Sequence, residues 1–369
     1  MNKSVHIVSF SIPFPADYGG VIDVFYKIIS LYEAGVDITL HCFKYDRIEA
    51  VELTKYCKEV FYYDRKMRGF QLISKLPFIV SSRTSKQLLA NLLKDQKPIL
   101  FEGLHSCALI NNKHLVNREK IVRSHNIEHD YYNQLANIES NFIKRLYFKS
   151  EANKLKTFEK LAMNTAIHIL GISKKDSKYL DECYDKTIHV SAFHAYKSVI
   201  IPVKTEQFAF YHGNLGVGEN NEAALFLVNQ VFSKLDYPLV IAGNSPSEAL
   251  IKSCRANENV KLEYNISSSE IDILLSTAHI NILPTFQSTG IKLKLLAALF
   301  RGNHCLVNHP MIAGTGLEKL VEIAETPEMF IQEIIRLQEI PTINSLSERE
   351  SILAPFTNQV IVEKIIALL

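Results

Sequence analysis

The sequence has no excess of either charge, no long apolar run and no closely spaced cysteines, and each absence removes a class of function. Lys and Arg number 41 against 39 Asp and Glu over 369 residues, so no global field draws the chain to nucleic acid. Any preference for anions must come from local placement. No uninterrupted apolar stretch reaches about 18 residues, so no transmembrane helix is expected. The opening run Met1–Phe10 reaches Pro13 and Pro15 without the apolar region and small-residue cleavage site of a signal peptide, which points to a cytoplasmic protein. Cys42, Cys57, Cys107, Cys183, Cys254 and Cys305 lie far apart with no CxxC, as expected for idle or buried thiols in a reducing compartment. There is no DxD, no HExxH and no histidine pair at i, i+4 on a plausible helix, so no metal site is expected. GxSxG is also missing, which removes the hydrolase elbow.

What is present is a globular balance, 47% apolar and 22% charged, in a chain long enough for two domains. Strand-like and helix-like stretches alternate. In the first half Val5–Ser9, 38–43, 60–63, 98–102, 120–123 and 167–172 read as strands. Helical spacing runs over 21–33, 85–94, a long region 130–163, and 174–184. The second half repeats the grammar, with strands at 209–211, 238–242, 260–264, 280–284 and 305–308. Its helices are read at 221–235, 267–276 and 292–300. Parallel neighbours need crossover connections, so strand–helix–strand succession predicts an α/β chain with a parallel sheet in each half. The segment 191–205 has no sustained period and is the expected linker. The domains are read as 1–192 and 205–345, with 346–369 a closing helical segment packing back on the first.

Four loops at the carboxyl ends of expected strands carry the candidate chemistry, because strand ends and helix N-termini there leave backbone N–H groups for a ligand. The first is Pro13 to Gly20, where Gly19 and Gly20 let backbone approach a phosphate or sugar. The second is Tyr211 to Asn221, with Gly213 and Asn214 at the place a diphosphate is cradled. Its glycine spacing is neither the dinucleotide fingerprint nor a Walker A loop. The third is Thr285 to Leu296. Lysines at a helix start oppose the macrodipole, so a bound anion relieves a repulsion, and Lys292 is the one expected to face it rather than Lys294. The fourth is Arg123 to His129, in which His125 can carry a proton or bond a sugar hydroxyl. Separately, Arg65, Lys66, Arg68, Lys75, Arg83 and Lys86 mix with apolar residues, a composition that suits peripheral contact with an anionic membrane through 65–86.

These residues resemble a family. Gly213-Asn214-Leu215 followed by Glu219–Ala223 resembles the phosphate loop of bacterial family-four glycosyltransferases, and Thr289–Leu296 resembles the "GTGIKxKxLEA" loop-helix of one branch. Pro15–Gly20 and His125–Glu128 are similar to its glycine loop and its acceptor-side "HNIE" motif. The resemblance implies a GT-B fold, two Rossmann-like domains facing each other across a cleft. It implies a UDP- or GDP-sugar substrate held by the second half and a glycan or lipid-linked acceptor held by the first. It also implies retention of configuration, no cofactor and no metal, with lysines and helix ends neutralising the leaving diphosphate. By position, Gly213, Asn214, Thr289, Gly290, Ile291 and Lys292 would hold the donor under Gly19 and Gly20. His125 would face the reacting sugar, and Asn126 and Glu128 would lie on the acceptor side. One departure is Ala297, which stands where the family has a ribose-binding glutamate. It opens a second reading, a catalytically silent GT-B subunit, and a GT-B-like epimerase is a third.

Overall fold

The computed structural model describes residues 3–67, 69–71, 74–286, 293–341 and 346–369. The chain forms two compact units. One holds the described residues up to Phe193 together with Asn358–Leu369, and the other holds those from His194 to Thr357.

The first unit is a seven-stranded sheet of β1 (Ser4–Ser9), β2 (Asp37–Lys44), β3 (Glu59–Asp64), β4 (Ile99–Glu102), β5 (Lys120–Ser124), β6 (His168–Gly171) and β7 (Thr187–His189). The order is β3-β2-β1-β4-β5-β6-β7, every pairing parallel. Side chains alternate across such a sheet, and both faces are covered. Val5 and Ile7 enter one core with Val24, Ile28, Ile38 and Leu40, while Val8 enters the other with Phe43, Phe101, Leu155 and Phe158. Helix Gly19–Glu33 covers the first face beside Asn358–Ile366, whose Ile361 and Ile365 are fully buried there.

The second unit repeats the plan with β8 (Glu206–His212), β9 (Leu239–Ala242), β10 (Val260–Glu263), β11 (Ala278–Leu283), β12 (His304–Val307) and β13 (Glu322–Ile323), in the order β10-β9-β8-β11-β12-β13 and again all parallel. Each sheet is wound outward from its first strand and then restarts on that strand's other side. The restart leaves a crevice between β1 and β4 in one unit and between β8 and β11 in the other.

Several elements differ from the sequence expectation for local reasons. The long helical region is two helices, Glu128–Ile138 and Phe142–Thr165. Asn141 ends the continuity because its carboxamide oxygen accepts from the N–H groups of Ile143 (3.0 Å) and Lys144 (3.1 Å), a helix cap. The helix expected over 221–235 starts earlier, as Gly218–Phe226, and passes into a π-helical turn, Leu227–Val231. The chain leaves the first unit at Phe193 and enters the second at His194, inside the expected linker 191–205, which carries no helix or strand although both of these residues are buried. Segment 346–357 stays with the second unit, where buried Arg349 donates to the carbonyls of Gly302 (2.7 Å) and Asn303 (2.8 Å).

Candidate functional site

In the first unit the crevice between β1 and β4 is floored by a closed set of buried charges. Helix Gly19–Glu33 places Asp23 and Lys27 one turn apart on its buried face. Lys27 donates to Asp23 (3.0 Å) and to both carboxylate oxygens of Glu102 (2.7 and 2.8 Å), the last residue of β4. Arg123 of β5 donates to both oxygens of Asp23 (3.2 and 3.0 Å) and to the Ser191 carbonyl (2.9 Å). All four side chains are fully buried, two cations against two anions. Burial alone would raise the Asp23 pKa, but Arg123 and then Lys27 outweigh it and hold the carboxyl well below the usual range. Burial would likewise raise Glu102, yet Lys27 and His125 bring it down.

His125 sits on this floor. Its Nε2 is 3.1 Å from Glu102 and 3.9 Å from Asp23. An ionised Glu102 accepts the Nε2 hydrogen and so selects the tautomer whose Nδ1 carries a lone pair. That nitrogen makes no hydrogen bond among the described residues. The Asp23, Glu102 and His125 ligand atoms lie within 4.8 Å of one another, but both carboxylates already bind cationic side chains, so the donor set suits a proton-handling histidine better than a metal. The Phe10 ring, directly after β1, meets His125 edge-on and also touches His105, each at 5.6 Å between centroids. Gly19 and Gly20 open the following helix, and a Cβ on Gly20 would come within 2.9 Å of the Phe10 ring.

Of the acceptor-side candidates, Glu128 is buried in the first turn of helix Glu128–Ile138, where its N–H donates to Glu159 (3.2 Å). Burial, then the Glu159 charge, pushes the Glu128 carboxyl up to about 8. Its Oε1 lies 3.9 Å from Nδ1 of His105. Asn126 is half-buried, and its carbonyl accepts from the Ser124 hydroxyl (3.0 Å). The 65–86 segment spends Ile79 and Val80 on the core and turns Arg83 inward, while Arg68, Leu72 and Ile73 lie outside the described residues.

In the second unit the loop after β8 is tightly determined. Gly213 donates to the Ala242 carbonyl (3.0 Å), and Gly243 lies so close that a Cβ there would be 1.8 Å from the Gly213 oxygen. Asn214 organises the turn, with its side chain accepting from Gly216 N–H (3.1 Å) and its carbonyl accepting from Asn220 (3.0 Å). The ammonium of Lys294, in helix Leu293–Arg301, reaches Asn220 Oδ1 (2.9 Å) and lies 4.9 Å from the centre of the Tyr211 ring. His212 is stacked on Phe210 with a buried Nε2 that finds no hydrogen-bond partner, and burial, then Lys294, lowers its pKa to about 3. Thr285, past β11, bonds Glu219 and, through its N–H, Asn308 (2.9 Å).

Thr289, Gly290, Ile291 and Lys292 lie outside the described residues. Within the described ones, the Gly213–Asn214 turn and the amino-terminal part of the following helix are adjacent, and Lys294 is the lysine that reaches the turn. The expected role of Lys292 lies outside the described residues, and the contact made by Lys294 was not foreseen. Sequence reasoning also missed Asp23, Lys27 and Glu102. A usable signal was present: an i, i+4 acid–base pair inside an otherwise apolar helix face, and a single charge, Glu102, closing the apolar strand β4.

No family model matches the sequence. A relative described as an uncharacterized 44.6 kDa protein in the cps region of Klebsiella pneumoniae is 27% identical over 355 residues, 89% of this chain and 89% of that protein. Among solved structures, TarM aligns over 100% of this chain and 99% of its own with a TM-score of 0.71 at 11% identity. A point mutant of S. aureus TarM in complex with Fondaparinux, alpha-GlcNAc-glycerol and UDP gives 0.69 at 12% identity, over 99% of each chain. A glycosyltransferase from Rickettsia africae gives 0.62 at 13%, over 100% of this chain and 97% of that one. With two Rossmann-like sheets of the same winding and such neighbours along its whole length, the chain has the GT-B fold.

Proposed function

We propose that the protein is a glycosyltransferase that moves a sugar from UDP or GDP to a glycan or lipid-linked acceptor, with retention and without a metal. The observation that carries this is the Lys294 ammonium bonded to Asn220 in the first turn of helix Gly218–Phe226, beside the Gly213–Asn214 turn at the β8–β11 crevice. A cation, backbone amides and a helix N-terminus gathered at a strand-order reversal suit a pyrophosphate, and they stabilise it as it leaves. Residues 289–292, immediately before the lysine-bearing helix, belong to the same reading as donor contacts. In the first unit His125, with its tautomer set by Glu102, faces the reacting sugar, and Gly19 and Gly20 close that side. A nucleotide donor is supported by the fold neighbour TarM, a mutant of which was solved in complex with UDP.

The test is a panel of UDP- and GDP-sugars with thermal shift and nucleotide release as readouts. One of the two nucleotides should raise the melting temperature, and Lys294→Ala should weaken that nucleotide about tenfold or more, the value of a charge-assisted bond. No shift with any nucleotide would overturn the proposal. Ala297, 5% exposed, favours the second reading of a silent subunit, since a methyl group cannot bond a ribose. Nucleotide binding without release in the presence of acceptors would select it.

A further inference from the structure

The carboxyl end of the first sheet gathers two guanidiniums that make no direct ion pair among the described residues. Arg65 directly follows β3, and Arg83 follows the short helix Phe78–Ser81. Arg83 is only 4% exposed. Its Nε donates to the Phe10 carbonyl (2.7 Å) and its Nη1 to the Ile79 carbonyl (2.7 Å), while Nη2 has no acceptor among the described residues. Arg65 donates through Nε to Ser82 (3.1 Å), the residue beside Arg83, and its guanidinium carbon lies 4.2 Å from the centre of the Tyr45 ring. Neither arginine forms an ion pair among the described residues.

The neighbouring acids are otherwise committed. Asp17 pairs with Arg47 and Glu151 with Lys154 (2.8 Å). Asp46 is exposed and acts on Arg65 through its charge without forming an ion pair with it. Glu128, buried against Glu159, holds its proton up to about 8. His105 adds a buried Nδ1 with no hydrogen-bond partner, and its ring is joined through Phe10 both to His125 and to the carbonyl that Arg83 grips. Burial, then Arg83, keeps that imidazole neutral, so it neither repels the arginines nor answers them. Placing a nearly buried guanidinium beside a second, partly exposed one is costly unless an anion arrives. A guanidinium with its outer edge open is shaped for a planar or tetrahedral oxyanion.

We propose that Arg83 and Arg65, with His105, form a subsite for an oxyanion on the acceptor sugar, carboxylate or phosphate, so that the preferred acceptor is an acidic glycan. This rests on the first unit being the acceptor-binding half of a transferase. The subsite lies one aromatic ring, Phe10, from His125, close enough for a negatively charged sugar to position a hydroxyl at that histidine.

The experiment titrates the full-length protein with methyl glucuronide, glucose 6-phosphate and methyl glucoside, followed by saturation-transfer NMR. At least one acidic probe should bind about tenfold tighter than the neutral glucoside. That preference should shrink as salt is raised, since the contact is ionic. Arg65→Gln should abolish the preference, and Arg65→Lys should restore part of it. Preference for the glucuronide identifies a carboxylate, and preference for the phosphate ester identifies a phosphate. Equal binding of all three probes, or an unchanged preference in a folded Arg65→Gln protein, overturns the proposal. Thermal shift with UDP and GDP on the same samples separates the two ideas. A parent protein with no acidic preference but intact nucleotide binding defeats only the subsite, whereas a parent with the preference but no nucleotide binding defeats only the transferase.

Discussion

Glu128 and Glu159 place two carboxylates against one helix turn, and the burial of Glu128 makes it the one that keeps its proton. Its folded pKa, about 8, stands above the ordinary 4.5, so its contribution to stability is complete below pH 4.5, falls as pH rises, and levels off past about 8. Glu128→Gln removes that slope. Relative to the parent, the variant should gain roughly 1–3 kcal/mol at pH 8 and nothing at pH 4, as read by urea denaturation at the two pH values. The Asp23 group behaves with opposite sign: its folded pKa is depressed, so its stabilisation is present above the ordinary aspartate range and lost as acid protonates it. Lys27→Met strips the counter-charge from two fully buried carboxylates and should cost about 3–5 kcal/mol of stability. A denaturation midpoint indistinguishable from the parent would show that the buried charges compensate one another without Lys27.

At the scale of elements, the loops at strand ends were legible because Gly213 and Asn214, and Gly19 and Gly20, interrupt apolar runs where a turn must form. The alternation of strands and helices also gave the parallel sheets. The charged floor was not legible, since Lys27 meets Glu102 across 75 residues and Arg123 meets Asp23 across 100, distances over which no local pattern reports. Short edge strands such as Glu322–Ile323 carry too few residues to show a period. The contact made by Lys294 was not legible for a related reason: it reaches the turn through Asn220, 74 residues away, a pairing that helix faces alone do not report. Gly243 shows how closely that turn is packed. Gly243→Ala sets a methyl 1.8 Å from the Gly213 carbonyl, which forces the loop to move. It should cost about 1–3 kcal/mol of stability, the range for overpacking, together with nucleotide affinity. Melting and nucleotide titration of the variant check both parts.

For the whole molecule, the resemblance rested on motifs spread over nearly all of the chain, and the two matching windings agree with the GT-B fold it implied, while part of its best run, residues 289–292, lies outside the described residues. The winding also decides what belongs to what. Helix Asn358–Ile366 contributes Ile361 and Ile365 to the core built by Val5, Ile28 and Leu40. Removing residues 358–369 should therefore destabilise the first unit and spare the second. Limited proteolysis checks this: cleavage should fall within the first 193 residues while a fragment of the second unit persists. The same arrangement bears on biosynthesis. A ribosome must finish the second unit's chain before the piece that seals the first one emerges, so the half that is begun earliest is completed last and must wait, with part of one face of its sheet still uncovered, while its successor folds.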